Sequence, residues 1–214
     1  MLQLNNKEGD VLYQANVDTW EGHVFPGGLD LSGLYVEDAI SFQGATFEGV
    51  TDFIRATFEM GVDFRRVVFK GSTWFDDVKF KKGVRFSGSI FYEGVWFRYT
   101  TFSKVAFFKH SMFKSNVSFD KSVFNWVRTY FDGTTFHKHT SFNDTRFKGD
   151  LWLTGSCFNS NVDFNDMKVD GDIRFSNASF RNLPINMPST VIPSLGRSDL
   201  TIAGVNYVNA EKVS

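Results

Sequence analysis

The chain has 214 residues, among them 26 Phe, 4 Pro and a single Cys, and its 23 basic and 24 acidic residues leave a net charge of −1. This length is sufficient for one domain with a sizeable core, and a chain with 42% hydrophobic residues and almost no net charge does not belong to the disordered class. A single Cys excludes a disulfide scaffold and a Cys-rich zinc module, and the lack of any apolar run of roughly 18 residues predicts that no segment spans a membrane.

Residues 1–30 precede the regular part of the sequence. They begin with MLQLNNKEGD, which lacks the basic and then apolar layout of a secretory signal peptide. Together with the free thiol of Cys157, this favours a reducing compartment, and we expect a cytoplasmic location. We interpret residues 1–30 as an N-terminal cap for the repeat that follows.

Phe recurs along the next part of the chain with gaps of five and six residues in strict alternation. The series is unbroken from Phe42 to Phe124, one extra residue then enters the segment 125–130, and the series resumes at Phe131 and ends at Phe180. An internal repeat of this regularity determines the fold class before composition does. The register positions that are not Phe are Leu31, Val36, Leu153 and Val169, and the Phe residues that we place outside the register are Phe25 and Phe107.

A small residue accompanies each register residue. Two positions before it stands Ala, Ser, Thr or Val in 22 of 26 units from Phe42 onward, and none of these positions is charged. A helix would distribute Val62, Phe64 and Val67 all around its axis, whereas residues two apart in a strand point to the same side. The pattern therefore predicts short strands that turn at Gly, Asn and Asp corners and stack into a β-solenoid.

The segments AISFQGATFEG (39–49) and VRFSGSIFYEG (84–94) resemble the pentapeptide-repeat family, in its Phe-centred variety with alternating five- and six-residue units. The resemblance implies an all-β fold, a right-handed quadrilateral β-helix of about seven coils with the large and the small residue of each unit pointing inward. It divides the chain into an N-terminal cap (1–30), the solenoid (31–182) and a C-terminal extension (183–214). We expect this extension either to cap the last coil or to contact a second subunit.

Large apolar residues occupy outward positions in adjacent coils, most of them directly before a register residue. Contiguous apolar surface usually marks an interface, and self-association as a homodimer is the commonest kind. Cover by the protein's own termini and ordinary surface scatter are the alternatives. The candidate interface residues are Val68, Trp74, Ile90, Tyr92, Trp96, Tyr99, Phe107, Met112, Tyr130 and Trp152.

Charge is distributed unevenly along the chain. Residues 1–64 contain 11 acidic and 2 basic residues, whereas residues 65–115 contain 11 basic and 3 acidic ones. A basic band beside aromatic residues is able to contact an acidic protein or nucleic acid, but the neutral chain and the lack of a known binding motif disfavour nucleic acid. A solvated face is the alternative. The candidate band residues are Arg65, Arg66, Lys79, Lys81, Lys82, Arg85 and Lys104.

Residues with catalytic potential are sparse. His137 and His139 share a corner without a third ligand at metal-site spacing, and Cys157 has no His nearby in the sequence. The acidic pair Asp76–Asp77 fits a turn. We expect no catalytic, cofactor or metal site, and the predicted function is a non-enzymatic β-solenoid that presents its aromatic and basic surface to a protein partner.

The family resemblance also implies an alternative function. Some members of the family mimic DNA, modulate the type II topoisomerase gyrase and thereby protect against quinolones or toxins. Such mimics carry a broadly negative surface, which the basic residues of 65–115 oppose. The self-associating protein-binding scaffold is the preferred hypothesis.

Overall fold

We describe a computed structural model of the chain, in which residues 1–182, 200–202 and 205–206 are described. In these residues the regular structure consists of strands, and no helix occurs. Four sheets run the length of the molecule, and we call them faces A to D in the order in which the chain visits them. A separate two-stranded sheet, Leu2–Asn5 with Val11–Ala15, precedes them.

Each face is a ladder of short strands from successive coils. The strands of face A are Ile40–Ser41, Val62–Asp63, Val84–Arg85, Ala106–Phe107, Arg128–Tyr130, Asp150–Trp152 and Ile173–Arg174. Those of face B are Val24–Phe25, Thr46–Phe47, Val68–Phe69, Ile90–Phe91, Met112–Phe113, Thr135–Phe136, Cys157–Phe158, Ala178–Phe180, Leu200–Ile202 and Val205–Asn206. Those of face C are Leu29–Asp30, Thr51–Asp52, Thr73–Trp74, Val95–Trp96, Val117–Ser118, Thr140–Ser141 and Val162–Asp163. Those of face D are Tyr35–Val36, Thr57–Phe58, Lys79–Phe80, Thr101–Phe102, Val123–Phe124, Arg146–Phe147 and Lys168–Val169.

Neighbouring strands of a face are parallel and lie one coil apart. Val62 pairs with Val84, 22 residues later, and Ala106 pairs with Thr129, 23 residues later, because the extra residue lies between them. With seven strands on faces A, C and D, the chain makes about seven coils. The predicted β-solenoid is therefore confirmed.

The core consists of stacked Phe rings. Phe97 is fully buried, and its ring lies 4.8 Å from that of Phe75 and 5.0 Å from that of Phe119, both with an interplanar angle of 3°. Across the interior it meets Phe108 at 5.7 Å and 85°, which is edge-to-face. Both geometries are favourable for aromatic pairs.

The five-residue units close with tight turns. At the corner between faces A and B, the amide of Ala45 donates to the carbonyl of Phe42 (2.9 Å), and Gly44 between them has a φ of 70°. These features define a type II turn, in which the third residue needs a positive φ. Glycine is favoured there, yet Arg66 and Tyr99 also occupy equivalent positions.

The small polar residues of the core are hydrogen-bonded. The Ser89 hydroxyl donates to the carbonyl of Phe64 (2.6 Å), and the Thr134 hydroxyl donates to that of Phe108 (2.7 Å). Ser and Thr therefore occupy the inward small position without leaving a carbonyl of the turn unpaired.

The placement of Phe25 outside the register is wrong. Its side chain is fully buried, and its ring stacks on that of Phe47 at 4.4 Å and 3°. The alternation of five and six residues continues downward through Val36 and Leu31 to Phe25, so face B begins one strand earlier than the Phe series suggested. Phe107, by contrast, is an outward residue of face A, as expected.

Additional segments lie at both ends of the ladder. At the N-terminal end, Leu4 of the hairpin and Trp20 are buried in the same core, and Asn6 forms a bridge to Leu34 of the first coil. At the other end, strand 200–202 pairs in parallel with strand 178–180 and so extends face B. The remainder of the predicted extension 183–214, apart from 205–206, lies outside the described residues.

We expect Phe97→Ala to lower the free energy of unfolding by about 3–5 kcal/mol, because it opens a cavity inside two ring stacks. Phe97→Leu should be milder, since Leu153 fills an equivalent position and is fully buried. Denaturant unfolding measures both, with Tyr92→Ala, at a side chain that is 49% exposed, as the surface control. An Ala variant as stable as the control would contradict the stacked core.

The N-terminal hairpin should loosen in acid through His23. The Tyr13 hydroxyl and His23 Nε2 are 3.0 Å apart, and burial lowers the pKa of His23. The folded state therefore favours the neutral ring, so its contribution to stability is complete above the unfolded pKa of about 6.5 and is lost as the pH falls below it.

Hydrogen exchange of the hairpin amides, expressed as protection factors between pH 7.5 and pH 5, measures this loss. In His23→Gln the part of the pH dependence that comes from the imidazole should disappear. Equal pH dependence in both proteins would refute the role of His23.

Candidate functional site

The outward surface of each face is built from the residues that directly precede the buried register residues. Since strand side chains alternate, every inward Phe places its predecessor outside, and the parallel register stacks these predecessors coil upon coil. On face A the outward row is Ser41, Asp63, Arg85, Phe107, Tyr130, Trp152 and Arg174.

Face A contains a continuous aromatic run. The rings of Phe107 and Tyr130 stack at 5.0 Å and 13°, and Tyr130 meets Trp152 edge-to-face at 5.4 Å and 74°. We call these three residues the aromatic run. It spans three consecutive coils, and each of its side chains is half-buried.

Cations cover the aromatic run. The Arg128 guanidinium carbon lies 4.2 Å and that of Arg174 lies 4.5 Å from a ring centroid of Trp152, while Lys109 Nζ lies 4.3 Å from that of Tyr130. Contacts of this length are attractive cation–π interactions. They hold basic heads against the rings and give the run a mixed aromatic and cationic surface.

Face C carries the second aromatic pair. Trp74 and Trp96 stack at 5.3 Å and 10°, and the Trp96 indole lies against Gly94, where an added Cβ would come within 2.6 Å of the ring. Asp30 and Asp52 lie below the pair in the same outward row. Burial raises the pKa of Asp52, and the nearby carboxylates of Asp30 and Asp76 act in the same direction.

Face B carries the aliphatic candidates. Val68, Ile90 and Met112 stack in register and are half-buried. The outward row of this face contains no charged residue from Val24 to Ser179. Two exposed tyrosines occupy corners instead, namely Tyr92 beside face B and Tyr99 beside face C, where Lys121 Nζ lies 5.3 Å from the Tyr99 ring.

The structure does not unite the ten candidate interface residues in one patch. Each unit turns the chain by one face, so the aromatic run on face A and the Trp pair on face C lie on opposite sides of the rod, with the aliphatic row on face B between them. Residues that are close in the sequence are therefore separated in space, and only residues one coil apart become neighbours.

The basic band is partly neutralised. Arg65 donates from Nε to both carboxylate oxygens of Asp63 (3.0 and 2.8 Å), and Lys81 Nζ bonds Glu59 at 2.7 Å. Lys104 lies over the ring of Trp126 at 4.1 Å. The band residues that form no ion pair within the described part of the chain are Arg66, Lys79, Lys82 and Arg85, all exposed.

The sequence analysis missed the cations that accompany the aromatic residues. Lys104 lies 22 residues before Trp126, and Arg174 lies 22 residues after Trp152, so the coil length was the signal that could have found them. Arg128 is placed by the inserted residue. It enters a three-residue strand of face A and thereby reaches the rings of both Tyr130 and Trp152.

The sparse catalytic candidates are dispersed. His137 Nε2 is buried without a hydrogen-bond partner, and burial lowers the pKa of this imidazole, whereas His139 is exposed. Cys157 is a free, half-buried thiol in the outward row of face B. Among the described residues no group of three or more His, Cys, Asp or Glu side chains is arranged to hold a metal ion.

A family model described as pentapeptide repeats (9 copies) matches residues 35–79, 64–112 and 119–168. These segments cover more than half of the chain and coincide with the stacked coils. The chain matches no curated protein. No helix in the described ranges is long and apolar enough to cross a membrane.

We expect Gly94→Ala to break the Trp pair of face C, because the new methyl group would occupy the place of the Trp96 ring. Loss of an aromatic contact of this kind destabilises by about 0.5–1.5 kcal/mol. Near-UV circular dichroism reports the stack and denaturant unfolding reports the stability. Gly61→Ala is the matched control, since its Cβ would meet only an ordinary contact at 3.6 Å. Unchanged spectra in the Gly94 variant would contradict this arrangement.

Proposed function

Because the chain belongs to the pentapeptide-repeat family, we propose that it is a non-enzymatic scaffold whose face A binds a protein partner, and that a second copy of the chain is one such partner. The observation that carries the proposal is the aromatic run Phe107–Tyr130–Trp152 with its covering cations. The inward residues are occupied by packing, so binding must use the outward rows.

The composition of the run supports protein binding. Tyr, Trp and Arg are the residues that contribute most to protein–protein affinity, and here Tyr130, Trp152 and Arg128 are in mutual contact. The rings offer rigid apolar area, while Arg128 and Arg174 supply donors at its edge. A partner with acidic and apolar side chains in alternation would complement both features.

Preorganisation also favours face A. Arg128 Nε lies 3.4 Å from an oxygen of Asp150 and its Nη1 lies 3.3 Å from the Tyr130 hydroxyl, so its side chain is already ordered before binding. Side chains that are ordered in the free protein lose less conformational entropy when a partner binds.

DNA mimicry finds less support. A mimic of DNA needs acidic side chains along the whole rod. The outward row of face A contains Arg85 and Arg174, and that of face D contains Lys79, Arg146 and Lys168. We therefore do not extend the proposal to a topoisomerase.

Light scattering after size-exclusion chromatography tests self-association, and capture with the immobilised protein tests other partners. We expect Trp152→Ala to weaken binding by about 2 kcal/mol, roughly thirtyfold, if this ring is an anchor of the interface. Trp74→Ala removes the same side chain from the opposite face and should leave binding unchanged.

Both variants should first be shown to unfold cooperatively with stability close to that of the wild type. A wild-type monomer at high concentration would refute the second copy as a partner. Equal binding by both variants would refute face A as the binding surface.

A further inference from the structure

A concave site lies at the corner between faces A and B, apart from the aromatic run. Ser87 and Gly88 recess the surface of one coil, Arg65 and Arg66 project from the coil below, and Lys109 and His110 project from the coil above. The recess has a volume of about 390 Å³ and is open to solvent. We call these six residues the corner notch.

The notch arises from the order of residues in one column of turn positions with positive φ. Going up the rod, this column reads Gly44, Arg66, Gly88, His110, Gly133, Gly155 and Asn177. Arg66 and His110 are the only long side chains in it, and a glycine lies directly above each. An added Cβ would lie 3.6 Å from Arg66 Cγ at Gly88 and 2.4 Å from His110 Nδ1 at Gly133. Both glycines thus leave room for the side chain of the coil below.

The charges of the notch are unevenly satisfied. Arg65 is held by two oxygens of Asp63, and Lys109 Nζ lies 3.4 Å from Asp132 Oδ2. Arg66 and His110 form no ion pair with any residue that the structure describes. Two ordered cations therefore border the recess together with a guanidinium and an imidazole whose donors face solvent.

We propose that the corner notch binds a phosphate group. Arg66 and His110 are two coils apart, roughly 9.6 Å along the rod at about 4.8 Å per coil, which is too far for a monatomic anion to bridge. A phosphate group offers several acceptor oxygens, and guanidinium groups recognise it through paired hydrogen bonds. The recess is larger than one phosphate ion, so it also admits the atoms that carry a phosphate ester.

The turn column supplies a clean variant and a matched control. Arg66→Gly removes the exposed guanidinium, and the fold tolerates Gly at this position in four other coils. Arg55→Gly makes the same change of charge at a positive-φ turn on the corner between faces C and D. Ser87→Glu leaves every cation in place but puts a carboxylate inside the recess.

Isothermal titration with pyrophosphate and with a phosphoserine peptide tests the proposal at constant ionic strength. We expect wild type and Arg55→Gly to bind alike, and Arg66→Gly and Ser87→Glu to bind at least about tenfold more weakly, because each loses or blocks charge-assisted hydrogen bonds. A peptide that binds more tightly than pyrophosphate identifies a phosphorylated protein as the source of the group, and the reverse order identifies a free phosphate compound.

Two results would overturn the site. One is the absence of binding by the wild type at millimolar ligand. The other is equal weakening in Arg66→Gly and Arg55→Gly, which would mean that anions respond only to the net charge of the rod. These outcomes are independent of face A binding, since the aromatic run is unchanged in all of the variants.

Discussion

Each core Phe ring lies flat against the ring that follows one coil later, and this repeated contact constrains every other position. The stack from Phe75 through Phe97 to Phe119 keeps nearly parallel planes, so the coil length has to remain constant wherever the stack continues. A constant coil length fixes the parallel register of the backbone hydrogen bonds. The register in turn decides which residues become neighbours on the outside.

The outward rows obey the same 22-residue translation as the core. Lys70 Nζ meets Glu48 at 2.9 Å and Lys81 Nζ meets Glu59 at 2.7 Å, each pair one coil apart. The acidic residues of the early coils thus pair with basic residues of the coils above them. Two large blocks of opposite charge in the sequence become ion pairs at their boundary, which leaves a smaller excess of charge than the counts suggest.

The distinctive surface features arise where the repeat is varied. The single inserted residue leaves Trp126 and Val127 exposed, 37% and 67%, and brings Arg128 into the strand that contacts the aromatic run. At another corner, Gly88 between Arg66 and His110 opens the corner notch. In both cases a small local change alters the surface while the Phe stack beneath stays intact, because inward and outward side chains alternate.

The sequence by itself determined the solenoid, the coil length and the inward set, since Phe at alternating five- and six-residue gaps satisfies only one closed geometry. It also placed Phe107 outside, but Phe25 was misassigned because Leu31 and Val36 interrupt the Phe series below Phe42. Only the tertiary structure decided that the Trp pair and the aromatic run lie on opposite faces and that cations cover the run. Those contacts depend on quarter turns of the chain and on the direction in which long side chains lean, and a linear pattern contains neither.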